Sequence, residues 1–416
     1  MTLYKGPFVC TGCALLCDDI AAEIQDNRII RVDTACRKGV SRIKGCSSPM
    51  SCMVNGKAVD IDTAIKEAAM ILKSSKHPLI FGHGNCTLET QKKTIELARK
   101  IYAHIDDTSS FCQGPLIEAI LNEKLPTCTL EEVRHKADVV IFWGADPSNS
   151  HPRHLSMYSY FPRGKERQRG WEEDRTAITI DIRKSDTAAL CGDKFYEIPI
   201  NGDSEFINAL FSALSNKVPK TSFNMDPKKI LELANILKKS DFGVIFAGLG
   251  MVYSLDSLEP LLRLINKLNE TSKFYLIPMV GQYNMRGFDH TLFKETGYIN
   301  RVYFGREKIE HGPQHSIIEL INNNVVDAAL IIGSDPLASL PGEIAKKLAN
   351  VPLITIDPCN NLTSQRSKVT ISSALSGVEC AGTAIRMDGV EVTLKQIIET
   401  DRFSDEQIIK QIMGKI

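Results

Sequence analysis

The chain has 416 residues, enough for two or three domains each with its own core. Fifty basic residues balance fifty acidic ones, so no net field draws the chain to a phosphate backbone or an anionic lipid surface. No apolar run reaches the roughly 18 residues of a membrane span, and MTLYKGPFVC lacks the basic-then-apolar order of a secretory signal. Twelve cysteines without such a signal point to metal and redox chemistry in a reducing cytoplasm.

The first forty residues carry the densest chemistry. Cys10, Cys13 and Cys17 lie in CTGCALLC, and Cys36 follows in ACRKG. Residues 18–32 alternate apolar and polar around Asp26-Asn27, a hairpin signal that brings Cys36 back beside the first three. Four converging thiolates suit a cubane iron–sulfur cluster. A structural zinc site shares the ligand count, but zinc ribbons pair their cysteines as two CxxC knuckles and this chain has one. Lys38 reads as a solvated lysine or as compensating charge beside an anionic cluster. Cys46 and Cys52 lack partner spacing and read as incidental thiols in a linker.

From about residue 60 helix and strand alternate. Helical period covers 64–72 and 89–101, and apolar strand runs occupy 77–81, 137–143, 176–182, 242–247, 328–332 and 353–356. The pattern predicts an α/β chain of mostly parallel sheets, with ligand crevices at the carboxyl ends of strands. One theme occurs twice. Strand 137–143 runs into Gly144-Ala145-Asp146-Pro147, and strand 328–332 into Gly333-Ser334-Asp335-Pro336. Each is followed by a strand ending in an acid, Asp181 before Arg183 and Asp357 before Cys359. The doubling predicts two nucleotide half-sites, with turn N–H groups on phosphate and an acid on ribose. A single such turn is usually only a turn.

In the loop DDTSSFCQGP, Cys112 precedes a helix start set by Gly114-Pro115. A thiol in that position suits a metal ligand or nucleophile, the alternative being an inert buried cysteine. His151 and His154 lack a third ligand and favour cofactor contact over a metal. The mixed-charge run KERQRGWEEDR reads as a solvated loop or subunit interface, and residues 404–416 as an amphipathic helix for packing or partner docking. Cys359 and Cys380 read as core.

CTGCALLCDDI with ACRKG, DDTSSFCQGP, WGADPSNSHPRH, DIRKSDTA, IPMVGQYNMRGF, the second GSDP and AGTAIRMDGV together resemble the catalytic B subunit of formylmethanofuran dehydrogenases. These are short relatives of formate dehydrogenases in the molybdopterin oxidoreductase superfamily. The resemblance spans nearly the whole chain and implies a cytoplasmic oxidoreductase that reduces CO₂ to formate. Cys10, Cys13, Cys17 and Cys36 would hold a [4Fe–4S] cluster, with Lys38 between cluster and pterin. Cys112 would bind tungsten or molybdenum carried by two molybdopterin guanine dinucleotides. Gly144, Asp146, His151, Arg153, Asp181, Arg183, Asp186, Gly333 and Asp335 would line the dinucleotide pockets. The implied layout is an iron–sulfur domain over 1–56, a discontinuous α/β domain over 57–133 and 281–416, and a pterin-dinucleotide domain over 134–280. The C-terminal β-barrel of larger relatives is missing from it. The implied partners are a small dinucleotide-binding subunit closing the pterin site, an amidohydrolase-like subunit that condenses formate with methanofuran, and ferredoxin-type polyferredoxin subunits.

Two positions depart from that family. Formate-type relatives place His after the metal-binding Cys, where this chain has Gln113, which cannot titrate near neutral pH. They place Arg where Val280 aligns, and losing a charged oxyanion donor costs a few kcal/mol at a transition state. Arg286 is the candidate substitute grip. A divergent paralogue serving as scaffold or electron relay is the alternative.

Overall fold

The computed structural model describes residues 2–45, 49–169 and 171–416; Cys46 and Gly170, the latter within the mixed-charge run, lie outside them. The chain forms two compact units, Met1–Phe111 with Gln282–Ile416, and the inserted Cys112–Gly281. The architecture is α/β with parallel and mixed sheets. Among the described residues no helix is long and apolar enough to cross a membrane.

In the inserted unit the apolar runs become a fully parallel sheet. Its order is Phe195–Glu197, Thr176–Asp181, Val139–Trp143, Gly243–Ala247, Phe274–Pro278. Val139–Trp143 and Gly243–Ala247 are buried throughout, as a strand covered by helices on both faces requires. The helix Gly114–Leu121 belongs to this unit because Leu116, Ala119 and Ile120 join the core of Trp143, Ile178 and Phe206. Leu116 and Ile120 each contribute about 1.5–3 kcal/mol by burial. The strand order reverses between Val139–Trp143 and Gly243–Ala247, which opens a crevice beyond their carboxyl ends.

The larger unit holds a nine-stranded mixed sheet. Its parallel centre runs Val369–Ser372, Leu353–Asp357, Ala328–Ile332, Pro78–Gly82, His104–Asp106, with antiparallel strands at both edges. Here the order reverses between Ala328–Ile332 and Pro78–Gly82. The two parallel centres have one topology, circularly permuted. In the inserted unit the strand after the switch follows in the chain; in the larger unit its counterpart, Pro78–Gly82, comes first.

The N-terminal hairpin forms as expected, Ile20–Gln25 with Arg28–Asp33, and Thr2–Phe8 pairs alongside. Asp26 and Asn27 sit at φ 49° and 60°, as a two-residue hairpin turn of matching twist demands. The terminal helix Asp405–Lys415 starts at a Ser404–Gln407 capping box and buries Ile408, Ile409 and Ile412 in the core of the larger unit.

Candidate cofactor and metal sites

The cysteine loop is shaped by its own backbone. Cys10 N–H bonds Cys17 O at 2.9 Å and Leu16 N–H bonds Cys13 O at 3.2 Å, which folds residues 10–17 back on themselves. Cys10, Cys13 and Cys17 are buried. Cys36 caps the helix Arg37–Lys44, its sulfur accepting from Gly39 N–H at 3.4 Å. Gly12 N–H points at the Cys10 sulfur in the same way, at 3.4 Å. Burial pushes the Cys10 thiol up to about 11, and Cys13 and Cys36 press on it as like charges. Burial also raises Cys13, while the Leu15 N–H and Lys38 oppose the rise. A Cβ on Gly39 would sit 2.8 Å from the Cys10 sulfur, so only glycine admits this approach. Among the described residues no three His, Cys, Asp or Glu side chains close on a point tightly enough for one metal ion. A cubane takes each thiolate on a different iron and so accepts a wider spread. Buried thiols met by backbone N–H donors fit that group.

In the inserted unit a cavity of about 380 Å³ opens at the switch point, lined by Gly144, Asp181, Arg183, Asp203, Gly250 and Tyr253 among others. Gly144 has φ 57°, and a Cβ there would lie 2.5 Å from Met251 N. This glycine permits both the left-handed turn and the close approach of the neighbouring loop. Asp181 stands at the rim with Oδ1 held by Ile182 N–H (2.7 Å), and burial raises its carboxyl. Burial, and then the Cys112 charge, raise the Tyr253 phenol; among the described residues Cys112 does not itself line this cavity. Asp203 accepts from Trp143 Nε1 at 2.6 Å.

The doubled motif has one geometry in both units. Gly144 N–H donates to Ile180 O (2.8 Å), and Gly333 N–H to Ile356 O (3.0 Å). Asp146 Oδ1 accepts from the Thr187 hydroxyl at 2.6 Å, and Asp335 Oδ1 from the Thr363 hydroxyl at 2.6 Å. Each threonine Oγ in turn accepts an N–H of the opposite turn, Ser148 at 3.2 Å and Leu337 at 3.1 Å. Asp146 and Asp335 therefore spend their carboxylates tying two loops together. Burial acts against ionised Asp146, but Thr187, Asn149 and Arg183 outweigh it and hold the group low.

At the carboxyl ends of the larger unit's strands, both ring nitrogens of His83, the Ser372 hydroxyl and Arg42 Nε are deeply buried without partners, while the Tyr283 phenol leans on Ser376 and Asp405 on Ser373. His83 stacks on Phe288 at 4.3 Å, and burial lowers it to about 3. Such a set suits a polar cofactor that fills the remaining bonds. Sequence reasoning passed over His83, Tyr283, Asp203 and Tyr253. The Gly82-His83-Gly84 turn at a strand's carboxyl end was the available signal for the first.

Other expected residues sit elsewhere. His151 is buried, with Nε2 2.8 Å from Val280 O and Nδ1 2.9 Å from Ser150 Oγ. Among the described residues His151, Arg153 and Asp186 do not line the cavity; Asp186 accepts from Asn149 at 2.9 Å. Gln113 donates Nε2–H to Ala247 O at 3.1 Å, leaving a buried Oε1 without a donor, and Val280 is fully buried. Arg286 belongs to the first turn of the helix Met285–Thr296, not to the preceding loop, and its Nε–H donates to His290 Nε2 at 2.9 Å.

No family model matches the chain. Over 426 aligned residues it is 35% identical to the B subunit of the tungsten-containing formylmethanofuran dehydrogenase 2 of Methanocaldococcus jannaschii, covering 98% of this chain and 97% of that one. The protein of the same name from Methanococcus maripaludis is 33% identical, covering 100% and 99%. A chain of the formyltransferase/hydrolase complex from Methylorubrum extorquens, solved with methylofuran, superposes with a TM-score of 0.70. It covers 88% of this chain and 98% of its own at 20% identity, which speaks for the fold alone. Identity over the full length with two such proteins places this chain in the family of formylmethanofuran dehydrogenase B subunits.

Proposed function

We propose that this chain is the catalytic subunit of a formylmethanofuran dehydrogenase and reduces CO₂ to formate. In this reading Cys112 holds a tungsten or molybdenum ion borne by two molybdopterin guanine dinucleotides, as in the molybdopterin oxidoreductases. Cys10, Cys13, Cys17 and Cys36 hold a [4Fe–4S] cluster in an N-terminal domain. The metal, when bound, supplies a sulfur-ligated centre able to change oxidation state. The chain's own residues do the rest. Gly144 and Gly250 let backbone approach a pyrophosphate, and Asp181 and Arg183 face its ribose or base. Buried His83 and Tyr283 and the buried Nε of Arg42 offer bonds to the second dinucleotide. N–H groups of Gly12 and Gly39 stabilise thiolate charge. A small subunit closes the crevice, polyferredoxin subunits carry electrons in, and an amidohydrolase-like subunit condenses formate with methanofuran.

The carrying observation is the switch-point cavity itself, which brings the left-handed turn at Gly144, the close backbone of Gly250 and the Asp181 and Arg183 side chains to one place. Metal analysis of the purified complex is the test. About one tungsten or molybdenum and about four irons per chain are expected. Iron without either heavier metal overturns the reading.

The orphaned Gln113 Oε1 and the apolar Val280 favour a second reading, an electron-relay scaffold or an altered-substrate paralogue. Full metal loading with no viologen-linked formate oxidation would select it.

A further inference from the structure

Three buried carboxyls of the larger unit, Asp106, Asp107 and Asp289, lie near enough to act on one another as like charges. Asp106 ends the strand His104–Asp106, Asp107 opens the short turn Thr108–Phe111, and Asp289 lies on the helix Met285–Thr296. Asp106 is fully served: it accepts from Arg301 N–H (3.1 Å), Ile317 N–H (2.8 Å) and the Ser110 hydroxyl (3.1 Å). Asp107 is served on one side. Its Oδ1 accepts the N–H and the hydroxyl of Ser109, while buried Oδ2 has no partner. Asp289 is fully buried and has no partner at either oxygen.

No hydrogen bond reaches Asp289, although the Ser109 hydroxyl and the Arg286 guanidinium are close enough to favour its charged form. Ser109 has one hydroxyl proton, spent on Asp107, and its oxygen accepts from Asn300 Nδ2 at 2.7 Å. Arg286, one turn earlier on the helix, gives Nε–H to His290, and its Nη1 is unpartnered. Because His290 Nε2 accepts, that imidazole is neutral; burial, then Arg286, lowers it to about 4. Asp388, which also faces Arg286, is paired with Arg386 at 2.7 and 2.8 Å. An ionised carboxylate sealed from water without a donor is very costly. A neutral carboxylic acid is itself a donor, and the bare Oδ2 of Asp107 is an acceptor in want of one.

We propose that Asp107 and Asp289 share one proton, the acid of Asp289 donating to Oδ2 of Asp107, and that this bond positions the turn leading into Cys112. Burial foremost, then the like charge of Asp289, raises Asp107 well above the usual carboxylate range; burial raises Asp289 likewise, against the pull of Ser109 and Arg286. A bridge from the helix fixes Asp107, and Asp107 fixes Ser109 and the turn. The importance of that turn for chemistry rests on the role proposed for Cys112; the shared proton does not. Asp107 and Asp289 are positioning residues.

Infrared spectroscopy of the intact protein in H₂O and D₂O is the test. Recording at about pH 8.5 stands above Asp106, Asp357 and Asp405, which burial raises to about 6, 7 and 6. One protonated-carboxyl band that shifts in D₂O is expected, lost in both Asp289→Asn and Asp107→Asn. Asp289→Asn, whose amide donates in place of the acid, should unfold at a higher temperature than Asp289→Leu. Its melting temperature should also fall less than the wild type's as pH rises from about 5 to about 8. A band surviving in both variants, or Leu matching Asn, overturns the proposal. If neither variant folds, absence of the band from the wild type overturns it. None of these readouts depends on tungsten, molybdenum or CO₂.

Discussion

At the scale of single residues, the acids of the doubled motif act as ties. Asp335 accepts from Leu362 N–H (3.0 Å), Thr363 N–H (2.9 Å) and the Thr363 hydroxyl (2.6 Å), so its charge is used inside the fold. Asp335→Ala would leave these donors short of an acceptor and should cost about 1–3 kcal/mol in urea unfolding. Thr363→Val, which removes only the hydroxyl, should cost about 1 kcal/mol. Asp405 behaves differently. It is buried with one oxygen unpartnered, and burial raises it to about 6 against the pull of Ser373 and Arg42. A raised folded value means the folded chain holds a proton that the unfolded chain has lost. The contribution is complete below the unfolded value of 3.8 and disappears as pH rises through about 6. Asp405→Asn should remove that decline, measured as the difference in melting temperature between variant and wild type across the window.

At the scale of elements, the two turns at the switch points share a shape but not a tolerance. Gly144 and Gly333 lie at φ 57° and 55°. A Cβ on Gly144 meets backbone, Met251 N at 2.5 Å, whereas one on Gly333 meets the Cys86 sulfur at 3.1 Å. Gly144→Ala should destabilise by about 1–3 kcal/mol, and Gly333→Ala by less, in the same unfolding assay. The elements themselves were legible because their cause is local. Strand 328–332 and its companions are unbroken apolar runs, and Asp26-Asn27 supplies the left-handed turn a hairpin needs. The pairing order was not legible. Pro78–Gly82 beside Ala328–Ile332 is a contact across the whole inserted unit, and the sequence repeats GxDP without announcing a permutation. The use of each acid was hidden too, since Thr187 reaches Asp146 only after the sheet has formed. Arg286 follows the loop of PMVGQYN in sequence, yet the helix Met285–Thr296 has already begun there.

At the scale of the whole molecule, stability is uneven by construction. The inserted unit closes a core of its own residues, Ile141, Trp143, Phe206 and Leu264 among them. Residues 1–45 differ. Their sheet has three strands, with Tyr4 and Ile30 exposed, and besides its own backbone bonds the loop 10–17 is tied to the rest of the larger unit by Met387 N–H to Ala14 O (3.1 Å), the Thr11 hydroxyl to Ser376 O (3.0 Å) and the packing of Leu16 on Tyr283. A sheet this small leans on the elements it packs against for its stability. Four thiolates on one cluster would join residue 10 to residue 36 and add the binding free energy to folding there, as metal sites in small domains do. Removing iron anaerobically with a chelator should therefore speed proteolysis within residues 1–45 several-fold while cleavage within 112–281 stays unchanged. Cys10→Ser should reproduce the same pattern without chelator, and mass spectrometry of the early fragments reads both. Equal protection of residues 1–45 with and without iron would mean that the cysteines hold no cluster that matters to the fold.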